Sequence, residues 1–253
     1  MNDMQGNVAL VTGAGSGIGR ATALAFGARG ASVAVADFNL VGAQETVKQL
    51  EAGGAKGIAV HVDVGDAASV EAMVKATTDG FGRIDYLLNA AGISAAGAPA
   101  PLHEVDLAAF ERVLRVNVIG TFLAMKYAIP AMLAGGGGAV VNVSSTMGER
   151  AAAGDPSYPT SKHAVRGLTQ SAALTYATQG VRVNSIGPGV IKTGMTAPIF
   201  DDEQTTGWLL GITPMRRFGE PNEVAELVVF LCSDAASYMT GGYYPVDGGW
   251  LAG

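Results

Sequence analysis

Tyr158 and Lys162 stand four residues apart in the run Tyr158-Pro159-Thr160-Ser161-Lys162. On a helix that spacing returns both to one face, so a phenol and an ammonium can converge on one point. A phenol ionises near pH 10 and must lose about three pKa units, about 4 kcal/mol, to exchange protons at neutrality. A unit charge ~4 Å away at an effective dielectric of ~20 supplies about that much. The pair is a candidate acid/base if the rest of the chain places a redox cofactor beside it. A surface tyrosine near a solvated lysine is the alternative.

The cofactor signal lies at the other end of the chain. Val8-Ala9-Leu10-Val11 runs into Thr12-Gly13-Ala14-Gly15-Ser16-Gly17-Ile18-Gly19 and then into a helical pattern. A strand, a glycine turn and a helix N-terminus together present amide N–H groups to a pyrophosphate. No frame gives a strict G-x-G-x-x-G; the spacing is Thr-Gly-x-x-x-Gly-x-Gly. Asp37 ends the second strand pattern, where a carboxylate accepts both ribose hydroxyls and repels a 2′-phosphate. No Lys or Arg stands at Ser16 or Phe38 to offset that charge, so NAD(H) is expected over NADP(H). Asp63 and the Val64 backbone could receive the adenine, although Asp63 reads equally as a helix cap.

These groups need a scaffold, and the hydrophobic pattern predicts one. Strands are expected at Val8–Val11, Ser32–Ala36, Gly57–Val62, Tyr86–Asn89, Ala139–Val143, Val181–Ile186 and Tyr243–Val246. Helices are expected at Ile18–Arg29, Leu40–Ala52, Ala67–Gly80, Leu107–Leu133, Ser161–Thr178 and Glu223–Leu231. Alternation of this kind predicts an α/β fold: a doubly wound, parallel seven-stranded sheet of Rossmann type with helices on both faces. Asp66, Asp106 and Asn222 are placed to cap helices. Residues 193–218 break the alternation and read as a mobile substrate lid.

The chain has 253 residues, 49% of them hydrophobic, and no linker composition. One domain over residues 1–253 is therefore expected. A net charge of −6 without a basic block argues against nucleic-acid binding. The single Cys232 forms no internal disulfide and no cysteine metal site, which fits the cytoplasm. No metal is expected. No apolar run reads as a membrane span or a leader.

In order, Thr12-Gly13…Gly17-Ile18-Gly19, Asp63-Val64, Asn89-Ala90-Ala91-Gly92, Asn117, Ser145, Tyr158…Lys162, Pro188-Gly189 and Thr193 resemble the short-chain dehydrogenase/reductase family over essentially the whole chain. The resemblance implies roles position by position. Ser145, thirteen residues before Tyr158, would hydrogen-bond the substrate oxygen, with Ser144 a one-residue alternative. Tyr158 would donate or accept the proton. Lys162 would hold the nicotinamide ribose and lower the phenol pKa, and Asn117 would kink its helix and bind a relay water. Ile191 and Thr193 would hold the nicotinamide. Asn89 would keep a structural and cofactor-lining role although Ala90 replaces a second asparagine. Pro159 is tolerated in the first turn of a helix.

The implied reaction is hydride transfer between a secondary alcohol and a ketone. Substrate walls are expected from Ser94-Ala95-Ala96-Gly97, Met147, Arg150 and the lid residues Met195, Ile199, Phe200, Trp208 and Leu209. Most are small or apolar, which favours an uncharged cyclic or aryl substrate; the lid residues could instead pack on the lid's own core or a neighbouring subunit. Arg150 could bring an acidic substrate, or pair with Glu149 at the surface. The apolar ending Gly241–Leu251 suggests burial against another subunit, and the resemblance implies a homotetramer. Two other readings remain: a 3-oxoacyl-carrier or CoA-linked reductase, and a non-catalytic NAD-sensing protein.

Overall fold

Seven parallel strands pair side by side in the order β3-β2-β1-β4-β5-β6-β7 in a computed structural model that describes residues 4–94, 100–151 and 153–253. They are β1 (Val8–Thr12), β2 (Ser32–Asp37), β3 (Gly57–His61), β4 (Tyr86–Asn89), β5 (Gly138–Val143), β6 (Val181–Pro188) and β7 (Tyr243–Val246). β1, flanked by β2 and β4, is buried along its whole length. Because side chains alternate across a strand, Ala9 and Val11 enter one core cluster and Leu10 the other. The strands must therefore be apolar on both sides, as their sequences are.

The first cluster is closed by α1 (Gly17–Ala28), α2 (Leu40–Ala52) and α9 (Pro221–Cys232), through Phe26, Leu50 and Val228. The second is closed by α3 (Ala67–Phe81), α5 (Gly120–Ala134) and α6 (Ser157–Tyr176), through Met73, Met132 and Ala173. The chain winds outward from β1 to β3, then crosses back to β4 beside β1. That reversal opens a crevice beyond the carboxyl ends of β1 and β4, where such sheets bind ligands.

The structure shifts several expected elements. Asp66 and Asp106 do cap, accepting the Ser69 and Ala109 N–H groups at 2.7 and 2.8 Å. The last long helix, however, starts at Pro221, so Asn222 lies inside it; the Glu223 carboxylate accepts the Glu220 N–H at 2.8 Å instead. The helix expected from 161 starts four residues earlier. There Asp155 accepts the Ser157 N–H at 3.0 Å and the Ser157 hydroxyl at 2.6 Å. Tyr158 consequently sits in the first helical turn with Pro159, whose missing N–H costs nothing there.

The helix expected over 107–133 is divided. A π turn, Arg115–Ile119, separates α4 (Leu107–Leu114) from α5. Contrary to the sequence expectation, Leu107–Ala134 is long and apolar enough to cross a membrane by composition. Half of its apolar stretch is buried in the fold, where Leu123, Ala124, Ala128 and Met132 share a core cluster with Leu10, Leu87 and Val140. Residues 193–218 include two helices, α7 (Ala197–Phe200) and α8 (Glu203–Ile212). Polar and apolar residues fall there in separate blocks with no helical period, which hid them, but Asp202 caps the second by accepting the Gln204 N–H at 3.0 Å.

Candidate active site

A cavity of about 700 Å³ lies beyond the carboxyl ends of the strands. Its walls come from the segments that follow β1, β2, β3, β4, β5 and β6, together with one face of α6. One end is built for an anion. Ser16 precedes α1 in extended conformation, its side chain makes no capping bond, and the first turn holds no acid. The first amides of α1 thus keep their donors and the positive end of the helix dipole. Gly13, Ser16, Gly17, Ile18 and Gly19 all line this end. At Gly13, with φ +67°, a Cβ would lie 2.7 Å from the Ala91 amide nitrogen. A side chain there would separate the β1 turn from the β4 turn.

Asp37 accepts the Gly15 and Asn39 N–H groups, each at 2.8 Å, and so stands fixed at the cavity edge. Its neighbour Phe38 leans on His61 with ring centroids 5.5 Å apart. Arg20, next to the glycine turn, is engaged behind it with the Gly15 carbonyl and with Thr46 at 3.0 Å. Asp63 lines the cavity and accepts the Gly65 N–H at 2.9 Å. The cap of α3 is Asp66, not Asp63. An uncapped helix start, a fixed carboxylate ending β2 and a wall that admits only glycine fit a dinucleotide.

Val64, Ala90, Ala91, Gly92, Pro188, Gly189, Ile191 and Thr193 also line the cavity. Asn89 does not. It is buried one residue below the wall and donates to Asn142 at 2.8 Å, because it ends β4 while the chain turns outward only at Ala90.

Asn117 likewise stands behind the wall. In the π turn its Oδ1 accepts the Ile93 N–H at 2.8 Å, and its Nδ2 donates to the Ile93 carbonyl at 2.9 Å and to Ser161 at 3.0 Å. The side chain thus clamps the β4 turn to α6. A Cβ on Gly92 would lie 3.3 Å from Asn117 Oδ1 and 3.5 Å from Lys162 Nζ.

Ser145, Tyr158 and Lys162 converge on the opposite wall. Ser145 is extended and its Oγ accepts the Met147 N–H at 3.1 Å. The Ser144 hydroxyl is spent on the Lys162 carbonyl at 2.8 Å, which leaves Ser145 as the hydroxyl beside the phenol. Burial raises the Tyr158 pKa; hydrogen bonding with Ser145 opposes that rise, and Asp155 adds to it. Lys162 Nζ donates to the Val143 carbonyl at 2.9 Å and lies 5.4 Å from the Tyr158 ring centroid. Burial pushes its pKa down to about 8. Ser145 thus opposes the rise in the phenol pKa without cancelling it, and burial perturbs Lys162 itself.

The substrate wall matches the sequence reading least. Met195 lines the cavity, while Ser94, Met147, Arg150, Phe200 and Trp208 do not; Ala96, with Ala95 and Gly97, lies outside the described residues. Arg150 reaches away to the Gly253 carbonyl at 2.6 Å, and Glu149 pairs with Arg166 and not with Arg150. Phe200 packs on Phe218, with ring centroids 5.0 Å apart, and Trp208 is exposed. Ile93, Val143, Thr196, Arg112 and Arg115 line the cavity without having been anticipated. The two arginines are one turn apart, a spacing legible in sequence as a helix face but not as a wall.

A family model described as Enoyl-(Acyl carrier protein) reductase matches residues 13–251. Cyclohexanol dehydrogenase of Acinetobacter sp. (strain SE19) is 41% identical over 251 residues, 99% of this chain and 97% of that protein. Cis-4-hydroxycyclohexanecarboxylate dehydrogenase of Sinomonas cyclohexanicum is 43% identical over 245 residues, 97% of this chain and 96% of that protein. A short-chain type dehydrogenase/reductase from Mycobacterium ulcerans superposes with a TM-score of 0.95 at 36% identity, covering 99% of this chain and 91% of that one.

Proposed function

This chain belongs to the short-chain dehydrogenase/reductase family and is an NAD(P)-dependent oxidoreductase that interconverts an alcohol and a ketone; we propose that it uses NAD(H) on a secondary alcohol borne by an uncharged ring. The observation that carries this reading is the convergence of Ser145, Tyr158 and Lys162 on one wall of a cavity whose far end presents Asp37 and the uncapped start of α1. Two relatives named for cyclohexane-ring alcohols support the ring.

Bound nicotinamide would accept or return the hydride. In the alcohol direction Tyr158 must first ionise against the burial that raises its pKa, and its phenolate then takes the hydroxyl proton while the Ser145 hydroxyl donates to the same oxygen. In the ketone direction both donate to the carbonyl oxygen, where negative charge develops. Lys162 would hold the nicotinamide ribose, Thr193 and the Ile191 backbone would hold the nicotinamide, and Asp37 would take the adenosine ribose hydroxyls; Asn117 keeps the Gly92–Ile93 turn against α6. We place the enzyme in the cytoplasm as a single-domain subunit of a homotetramer; exposed Phe122 on α5 and Leu174 on α6 offer apolar contact surface.

The ring is tested by NADH absorbance, comparing cyclohexanol with an open-chain secondary alcohol of equal carbon count. A higher kcat/KM for the ring is expected; an equal or reversed preference rejects the ring reading. For the cofactor, a 2′-phosphate ~5 Å from the Asp37 carboxylate costs about 3 kcal/mol, roughly a hundredfold. Asp37→Ser should therefore narrow the NAD+ over NADP+ preference in kcat/KM by about that factor. Wild-type enzyme that saturates more readily with NADP+ contradicts the assignment.

A further inference from the structure

We propose that Tyr243 is a positioning residue for Ser145: reaching from β7, its hydroxyl holds the serine main chain so that the serine hydroxyl faces the substrate oxygen. The inference rests on the role given above to Ser145. Tyr243 Oη donates to the Ser145 carbonyl at 2.9 Å, and the same carbonyl accepts the Gly148 N–H at 2.8 Å. The tyrosine ring lies under the Arg166 guanidinium, 4.2 Å from its centroid. Arg166 in turn donates to the Gly148 carbonyl at 2.6 Å and pairs with Glu149. The turn that carries Ser145 is thus held at two carbonyls by one stacked pair.

Both members of that pair are tied to the site. Arg166 stands one helical turn beyond Lys162, so Tyr158, Lys162 and Arg166 share a face of α6. Tyr243 pairs with Ser185 across the β6–β7 ladder, which puts Gly187 two residues along on the same face. Gly187 has no positive φ, so its backbone conformation does not call for glycine. Its lack of a side chain makes room, since a Cβ there would lie 2.0 Å from Tyr243 Oη. Arg166, Glu149 and Asp247 are the charged groups acting on Tyr243, and burial pushes its pKa up to about 12, so it stays a donor at working pH.

Tyr243→Phe keeps the ring under Arg166 and removes only the donor. The expected result is a loss of about tenfold in kcat, the scale of one positioning hydrogen bond. The KM for NAD+ and the fluorescence-measured Kd for NADH should stay within about twofold, because Tyr243 does not line the cavity. A residue acting through Ser145 should lose its effect in the Ser145→Ala background, where Tyr243→Phe is expected to leave the residual kcat unchanged. If that background is too slow to read, Gly187→Ala replaces it. Its Cβ must displace the phenol, so it should lower kcat on its own, and adding Tyr243→Phe should lower it no further. Wild-type kcat in Tyr243→Phe, or an equal fold-loss in the tested background, overturns the proposal. Tyr158→Phe separates the two levels: if that variant is inactive and Tyr243→Phe is not impaired, only the positioning role fails. If Tyr158→Phe turns over normally, the functional reading beneath it fails.

Discussion

Tyr158→Phe is expected to lower kcat by about three orders of magnitude, within the range attributable to one positioned acid/base. The variant keeps the ring and its place in the first turn of α6, so Lys162 keeps its bond to the Val143 carbonyl 2.9 Å away. Only the phenol oxygen beside Ser145 is lost. Dinucleotide affinity should stay within about twofold, since the groups assigned to the adenosine and pyrophosphate lie at the far end of the cavity. Steady-state kcat beside an NADH fluorescence titration decides the matter. Turnover within about tenfold of wild type would place the proton transfer on another group. Equal loss of binding and turnover would mean that the phenol holds the cofactor and does no proton chemistry.

Gly19→Ala is the second large effect, and it acts on the scaffold and the cofactor together. Gly19 lies in the first turn of α1, and a Cβ there would lie 2.1 Å from the Gly13 carbonyl oxygen and 2.6 Å from its carbon. Both are backbone atoms, so no rotamer change relieves the overlap. The helix must move away from the β1 turn. Overpacking of this kind costs about 1–3 kcal/mol, or a Tm lowered by roughly 3–10 °C in a domain of this size. The same displacement pulls the α1 amides out of line with an anion, so NADH Kd should rise by at least about a hundredfold, the worth of two charge-assisted hydrogen bonds. Gly207→Ala in α8 is the control. Nothing lies within 4 Å of its Cβ position, and alanine favours a helix by about 1 kcal/mol over glycine. That control should bind NADH normally. Wild-type affinity in Gly19→Ala would remove the pyrophosphate from this turn.

The two predictions draw on features of different legibility. The Gly13–Gly19 turn and Asp37 could be read directly, because a glycine turn, a strand end and a helix start are local properties of neighbouring residues. The seven strands were legible for the same reason: runs apolar at every position fit only a sheet covered on both faces. The break at Asn117 was implied only by the family resemblance, since the hydrophobic pattern reads as one continuous helix over 107–133. Its partner was not visible. Ile93 is twenty-four residues away, and nothing in the spacing joins them.

The substrate wall was read least well because its residues were chosen by type. Large apolar residues in 193–218 looked like pocket walls, yet Phe200 packs on Phe218 and Trp208 faces outward. Arg150 was free in the sequence to face the cavity, and in the fold it holds the Gly253 carbonyl. At the aromatic ending, the bond from the half-buried Tyr243 to Ser145 joins residues ninety-eight apart, which no local pattern links.

By itself, the sequence determined the sheet, the glycine turn between β1 and α1 and the shared helical face of Tyr158 and Lys162. Each follows from backbone conformation or from a period of two or 3.6 residues, which a few adjacent side chains specify. Only the tertiary structure decided that Lys162 is buried to a pKa of about 8, that Ser145 and not Ser144 stands beside the phenol, and that Tyr243 reaches the serine turn. Those outcomes depend on desolvation and on partners many residues apart, which exist only once the sheet has brought them within a few ångströms.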